Sequence, residues 1–438
     1  AVSGNGTIWV VGGFANSIAL PGCAQIFTTA ARAVFWAKLS PAGVCLSLRG
    51  MGGSIGGVQG DFATGLAIAL DANNVPAIAG SFRGTLTDPQ NPGMPLVSAA
   101  MSQDMFVARL DPSDGHVTSK AGYGGVQEDQ ILGLVFDDGG ELYAGGSFKG
   151  SVTIPTMPPT TLNSIDPNNL DGVLIRFSSG GTPQWAKRLS GNLHATVIRA
   201  LTFISSSQAI AFTGLSGGDV TGVCSWPSAG IGTADVFHAA VDKMGNCTYG
   251  VPAGANNSAG AYAIDSDSMG RMVSAGEVKG SVNLGPNPPI SSPGNDTNGF
   301  VARVDWNHGP AVHAVATFGN GGGAGAVDQA FGLTIDKSNF IDVTGSFFNS
   351  VSFSGKGVQG QGLLDAFVAR YDAATLGITW VRSFGDGASQ QGKSVAADPV
   401  DNAIVAGGVF QGTLAGAGPS PPVASPGFPD IFVMKLAP

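Results

Sequence analysis

Residues 387–394 read GASQQGKS, a full match to the G-x-x-x-x-G-K-[ST] pattern in which backbone amides and a lysine cradle phosphates. That chemistry needs a strand leading into a helix whose N-terminal amides face the anion. Here Ser394 opens the strand-like run SVAAD and no helical pattern follows, so the segment reads as a connection into a strand. Two G-x-S-x-G stretches, GGSIG at 52–56 and GLSGG at 214–218, carry the letters of a nucleophile elbow. An elbow requires a strand-to-helix turn with a His and an acid at hand. Neither stretch has that setting, and both read as Gly-rich loop or bulge.

The five histidines, His116, His194, His238, His308 and His313, are scattered along the chain without an H-x-x-x-H pair or a Cys at metal spacing. They read as structural or surface residues. Asp265-Ser266-Asp267 has the start of a calcium loop, but no Glu stands at the twelfth position counted from Asp265. Asp71, Asp137, Asp267 and Asp336 each stand nine residues before a recurring glycine (Gly80, Gly146, Gly276 and Gly345), ahead of Asn or Gly, where a short carboxylate bonds backbone amides and caps the turn. No catalytic residue, cofactor or metal site is assigned.

What must position any functional group is a repeat. The phrase DMFVAR at 104–109 returns as DAFVAR at 365–370, and in weaker form as AVFWAK, DGVLIR, DVFHAA, NGFVAR and DIFVMK. Its third letter marks Phe35, Phe106, Val173, Phe237, Phe300, Phe367 and Phe432, in steps of 71, 67, 64, 63, 67 and 65 residues. A second phrase keeps step with it: WVVGGF, AIAGSF, YAGGSF, AFTGLS, VSAGEV, DVTGSF and VAGGVF, anchored on Gly13, Gly80, Gly146, Gly214, Gly276, Gly345 and Gly408. Self-similarity at a fixed period over the whole length argues for one domain, residues 1–438, made of seven units of roughly 66 residues.

Each unit holds four short segments of strand character. One unit runs GLAIALD, the turn ANN, VPAIAGSF, a long loop, DMFVARL, the turn PSDG and HVTSKAG. Apolar runs cut by Asn, Gly, Asp and Ser read as antiparallel hairpins. Seven four-stranded sheets in series predict an all-β, seven-bladed β-propeller. Small residues in the first strands (LAIA at 66–69, AYA at 261–263, VAA at 395–397) suit crowding near an axis, and the recurrent Phe suits the wider gap between blades.

The run GLTIDKSNFIDVTGSF, then DAFVARYD, then ITWVRSFGDG resembles the bacterial seven-bladed propeller repeat family abbreviated SBBP, and is similar in grammar to NHL repeats. The resemblance covers nearly all of the chain. It departs from the pattern at Val173 and Ala240, and the fourth-strand tryptophan is clear only at Trp185 and Trp380. It implies a fold and no catalytic residues.

The four cysteines keep the repeat register. Cys23 and Cys224 each lie ten residues after their anchoring glycine, Cys45 and Cys247 ten after their marker Phe, so the pairs Cys23–Cys45 and Cys224–Cys247 are expected. Closing loops of this length contributes about 3 kcal/mol each. Structural disulfides imply periplasm, cell surface or secretion. A net charge of -9 argues against nucleic acid or anionic membrane as partner, and apolar runs fall short of the roughly 20 residues that span a bilayer, so a soluble protein is expected.

Aligning Gly13 with Gly408 places Ala1, Val2 and Ser3 on Ala396, Ala397 and Asp398, so the chain starts inside a first strand and ends after a third. The last blade is expected to lack its outer strand, with residues upstream of Ala1 or another chain completing it. Without an initiator Met or a signal-peptide core, the sequence reads as a processed or excised product. The second-to-third-strand loops at 87–103, 153–169, 283–297 and 415–429 are rich in Pro, Ser and Asn, and emerge beside the fourth-to-first loops GVQEDQ and GAVDQ. Long loops on a rigid scaffold are where binding concentrates. The expected function is non-catalytic binding of a protein or surface polymer, with self-association included. One alternative is a subunit of an extracellular filament or surface layer joined across the open blade edge. Another is a glycan-processing propeller, whose S-x-D-x-G-x-T-W box is echoed by SSGGTPQW at 178–185 with Gly in place of Asp. Against it, Arg109, Arg176, Arg303 and Arg370 sit at repeat positions rather than converging.

Overall fold

The two repeated phrases pair with each other, which is why they recur together. The glycine phrase is the second strand of each repeat and the Phe phrase the third. Gly80 stands opposite Phe106, Gly276 opposite Phe300, Gly345 opposite Phe367 and Gly408 opposite Phe432. The aromatic that ends the glycine phrase packs edge-on against the marker Phe, at ring separations of 6.3 Å for Phe14–Phe35, 6.5 Å for Phe82–Phe106 and 6.4 Å for Phe410–Phe432. Such pairs add about 1 kcal/mol beyond the area they bury.

The first repeat corrects the anchor by one residue, because Gly12 and not Gly13 faces Phe35. The first hairpin is also one residue shorter than the last: Ser3 N–H donates to the Thr7 carbonyl where Asp398 N–H donates to that of Ala403. The two offsets cancel. Val2 pairs with Ile8 as Ala397 pairs with Ile404, so the alignment of Ala1–Ser3 with Ala396–Asp398 holds.

The anchoring glycine has a steric cause. A Cβ on Gly80, Gly146, Gly276, Gly345 or Gly408 would stand about 2 Å from the carbonyl oxygen of Thr64, Gln130, Gly260, Gln329 or Gln391 on the first strand. That carbonyl presses in because the first strand carries one extra residue just beyond it. The ladder slips at Leu66, Leu132, Tyr262, Phe331 and Lys393, one bulge at the same place in five blades.

The computed structural model describes residues 1–438 except 53–60, 229–233, 256, 284–289, 293–295, 306–311, 320–325, 416–421, 426 and 428. The sheets within it make an all-β, seven-bladed propeller. Blades two, three, five and six are four-stranded antiparallel sheets, for example Phe62–Leu70, Pro76–Arg83, Gln103–Leu110 and Val117–Tyr123 in blade two. Blade one orders Ile8–Phe14, Ala33–Leu39 and Cys45–Met51, with Val2 bridging in front. Blade seven orders Gln390–Ala397, Ile404–Phe410 and Asp430–Leu436, and no fourth strand joins it among the described residues. One short 3₁₀ turn, Ala99–Met101, is the helical content described, and no described helix is long and apolar enough to cross a membrane.

By internal contacts the chain divides into two compact units. Unit 1 holds Ala1–Ile210, Val220–Ser225 and Asp242–Asn246, hence blades one to three and the first strand of blade four; unit 2 holds Ala211–Asp219, Trp226–Val241 and Cys247–Pro438, with blades five to seven. Each has its own apolar core. In unit 1 Phe136, Phe148, Phe177 and Val173 are buried together; in unit 2 Phe318, Phe347, Phe353 and Phe367 are.

Neighbouring blades are braced three ways. The start of one blade's third strand bridges in parallel to the start of the next blade's first, as in Arg32 to Phe62, Thr297 to Val327 and Leu364 to Ser389. The basic residue ending the Phe phrase reaches carbonyls of the next blade's hairpin turn. Lys38 donates to Pro112 and Ser113, Arg176 to Lys243, and Arg303 to Ala373 and Ala374. The third brace comes from the long loops. They fold back as two-stranded hairpins, and their first strand adds to the outer edge of the preceding blade: Val220–Gly222 on Pro183–Gly191, Ser281–Asn283 on Cys247–Ala255, and Ser350–Phe353 on Val312–Gly319.

Candidate functional site

The letter matches resolve as strands. Residues Gln390–Ala397 form the first strand of blade seven, so GKS is followed by sheet, and Lys393 occupies the bulge. GLSGG falls at the end of the strand Ala209–Gly217, where Ser216 is buried. GGSIG lies, beyond Gly52, outside the described residues, as does His308. His116 is exposed and places Nδ1 2.7 Å from Asp114 Oδ1. Asp111, Asp114 and His116 bring three ligand-type atoms within 4.8 Å of one another. Their atoms are already engaged, Asp114 with Arg49 at 2.7 Å and Asp111 with the Ser113 amide at 2.7 Å. His238 is buried, with Nε2 2.7 Å from Ser274 Oγ, and burial lowers its pKa to about 4.

The aspartates cap turns. Asp71 accepts from the Asn73 and Val75 amides, Asp137 from Gly139 and Glu141, Asp267 from Met269 and Arg271, and Asp336 from Ser338 and Phe340. Asp265 accepts from the Ile335 amide of the next blade. The Asp that opens the Phe phrase has a role the sequence did not disclose: Asp104, Asp171 and Asp365 receive the amides of Ala99, Ile165 and Gln361, and so hold the return of the excursion hairpin. Cys23 and Cys45 are joined by a disulfide; Cys224 and Cys247 are disulfide-bonded as well, and no free cysteine remains among the described residues.

The repeat arginines act as braces, with one exception. Arg370 is buried and pairs with both oxygens of Asp342, at 2.9 and 3.1 Å, and with Asp336. Burial still raises the Asp342 pKa to about 7 against the pull of that guanidinium. Arg109 lines a cleft of about 110 Å³ between blades two and three, beside Val107, Ser119, Tyr123 and Gly181. The cleft exists because of residue size. At the position of Val107, blade one has Trp36, whose Nε1–H reaches the Gly115 carbonyl at 2.7 Å; at the position of Ser119, blade three has Trp185. Where both positions are small, nothing fills the gap.

Two surfaces depart from the repeat in a way that points to binding. The first is the set of excursion hairpins in unit 1. Phe27, Met94, Val97, Met101, Met157 and Ile165 are all exposed on them, Met157 at 93 % and Met94 at 69 %. Backbone pairing of the hairpins (Thr85–Asp88 with Asn91–Val97, Ser151–Ile154 with Thr160–Asn163) holds the segments that carry Met94, Val97 and Met157.

The second surface lies on the inner strands of unit 2. In unit 1 the bulge carries Leu66 and Leu132; in unit 2 it carries Tyr262, Phe331 and Lys393. The rings of Tyr262 and Phe331 meet edge-to-face at 5.3 Å, and the Lys393 ammonium sits 3.9 Å from the Phe331 ring centre. Glu277 stands where blades two, three and six have Ser81, Ser147 and Ser346. It accepts from the Tyr262 hydroxyl at 2.6 Å and from the Gln329 side-chain amide. Lys393 has solvent access, yet its surroundings desolvate the ammonium and lower its pKa. It has no hydrogen-bond or ion-pair partner among the described residues. The signal was present in the repeat alignment as a Glu among serines and a Lys among leucines, but only the bulge shows that they converge.

No known family model matches the chain. Over 147 residues it is 27% identical to the regulatory protein FlaEY of Caulobacter vibrioides, a match that takes in 34% of this chain and spans only 14% of that protein's length. Among solved structures it is similar to the Dos1 propeller, at 8% identity and a TM-score of 0.39 over 86% of this chain and 72% of that one. It is also similar to the WD40 domain of Neurospora crassa Pan2, at 11% identity and a TM-score of 0.40 over 78% of this chain and 85% of that one.

Proposed function

We propose that this propeller works by binding rather than catalysis, at the surface of a cell or after secretion, with a protein or surface polymer as partner. The observation that carries the reading is the set of exposed apolar side chains, Phe27, Met94, Val97, Met101, Met157 and Ile165, held on excursion hairpins that are themselves braced. Exposed apolar groups cost solvation unless something covers them, and clusters of them mark interaction sites. A non-catalytic reading is supported by the fates of the motifs: Ser216 is buried in a strand, the GKS lysine lies on a strand, Arg176 and Arg303 bond the next blade, and Arg370 is held by Asp336 and Asp342. The two disulfides support an oxidising location. The repeat phrases support kinship with the SBBP-type propellers.

The test compares the full chain with a Met94→Ser/Val97→Ser/Met157→Ser variant. Binding to cell-envelope proteins and polysaccharides is followed by biolayer interferometry, and self-association by sedimentation. Loss of association at an unchanged melting temperature is expected. Undiminished association in the variant removes the hairpins from the binding face.

A second reading, assembly by strand addition, is favoured by one observation. The outer edge of Asp430–Leu436 has no partner strand among the described residues, and its Ile431 and Val433 are partly exposed. An unpaired edge of this kind templates another strand. A peptide of sequence ITWVRSF, which fills that place in blade six, should protect the amides of residues 430–436 from exchange if the edge is available.

A further inference from the structure

We propose that Tyr262, Glu277, Phe331 and Lys393 form a binding site for an acidic sugar, a hexuronate unit of a glycan. The site lies on residues of unit 2 and is independent of the hairpin reading above, whose residues belong to unit 1.

The groups lie in a row: ammonium, ring, ring, carboxylate. The Lys393 ammonium rests against the Phe331 ring, Phe331 meets Tyr262, and the Tyr262 hydroxyl reaches Glu277. A lysine held over an aromatic face is favoured by the ring quadrupole, but this leaves its three N–H groups unmatched. Lys393 has lost part of its hydration and has gained no anionic partner among the described residues, so a ligand anion restores what desolvation removed. Edge-to-face rings offer an apolar wall, against which the C–H face of a pyranose packs. Glu277 supplies the acceptors. Each of its oxygens takes one donor, the Tyr262 hydroxyl and the Gln329 amide, and each keeps a second lone pair for a ligand hydroxyl.

Charge and polarity narrow the class. A phosphate ester would bring more negative charge toward Glu277 than Lys393 balances. A neutral sugar would leave Lys393 unpaired. A carboxylate at one end, ring C–H groups in the middle and hydroxyls at the other end match all three features, and a hexuronate has that layout.

The construction also argues for selection of these side chains by a ligand, not by the fold. The bulge is the same in blades two and three, where leucine occupies it, and serine suffices at the Glu277 position in three other blades. Nothing in the ladder calls for Tyr, Phe, Lys or Glu.

The same comparison supplies the test. Glu277→Ser and Phe331→Leu install residues that other blades already carry, so their folding is retained; Lys393→Met removes the charge and keeps the length. Isothermal titration calorimetry on the full chain would use digalacturonate, with galactobiose and polygalacturonate as further arms. Digalacturonate is expected to bind and galactobiose to bind at least about tenfold more weakly. Polygalacturonate binding with no response to the disaccharide would place recognition on a polymer rather than a terminal unit, and Lys393→Met should abolish that binding too. Each single variant is expected to weaken uronate binding by about tenfold or more at an unchanged melting temperature. No heat from either uronate at millimolar concentration, equal binding of the neutral disaccharide, or full uronate binding by Lys393→Met would each overturn the proposal. Uronate binding that survives the hairpin variant separates this site from the hairpin face.

Discussion

Acidification should destabilise this protein through one imidazole. His238 lies in the Phe phrase of blade four, at the position of Val107, Val301 and Val368 in blades two, five and six. Its ring is buried, with Nε2 against Ser274 Oγ and no hydrogen-bond partner for Nδ1 among the described residues. Burial lowers the pKa from 6.5 to about 4. A depressed pKa means that the folded state resists protonation. The stability is fully present above the unfolded value of 6.5 and is lost as pH falls toward 4. At 1.36 kcal/mol per pKa unit, going from pH 7 to about 4.5 removes roughly 2 kcal/mol. The control is His238→Val, the residue that blades two, five and six use. Buried carboxyls such as Asp129, which desolvation raises to about 7, pull the other way but are common to both proteins and cancel. Urea unfolding followed by tryptophan fluorescence at the two pH values gives four free energies. The wild type should lose about 2 kcal/mol more than the variant on acidification. Equal losses would show that His238 is not held neutral, and would refute the reasoning.

Trp36→Val, which gives blade one the residue found in blade two, should cost about 3 kcal/mol and open a second cleft like that beside Val107, measurable by denaturant midpoint and by dye binding. Arg370→Leu leaves Asp342 and Asp336 buried without their cation, a loss of roughly 3–5 kcal/mol, whereas Arg370→Leu with Asp342→Leu should recover part of it; a double variant worse than the single would count against the pairing. Asp365→Ala deprives the Gln361 amide of its acceptor and should cost about 1–3 kcal/mol, with proteolysis appearing near the exposed Leu363.

Most of the architecture is legible in the sequence because one physical need recurs. In five blades the second strand requires a glycine where a first-strand carbonyl presses in, and the third strand buries its marker residue among side chains of the preceding blade, Phe106 with Trp9 and Val34 and Phe367 with Val273 and Val301, so the phrases are stamped out in register. The anchor slipped only in the first repeat, where the two consecutive glycines Gly12 and Gly13 both fit the letters and pairing with Phe35 decides. The turn aspartates were legible for the same reason: the bonds they make are local. The long loops were not. Their Pro, Ser and Asn content marks them as loops, whereas Thr85–Asp88 with Asn91–Val97 and Ser151–Ile154 with Thr160–Asn163 are paired strands and Ser281–Asn283 joins the preceding blade's sheet, and pairing with a distant strand leaves no local periodicity. The Tyr262, Glu277, Phe331 and Lys393 constellation was hidden for a related cause. Three of its members sit on an inserted residue, whose direction alternation does not specify.

That inserted residue frees one side chain per blade from the arithmetic of the pleat. A substitution there leaves the hydrogen-bond ladder in place, so the side chains that adjoining blades set against each other, as Tyr262, Phe331 and Lys393 do, can change while the strands keep their pairing. A chain of repeated units thereby keeps a row of adjustable positions, and unlike chemistries can gather along it while the sheets themselves stay alike.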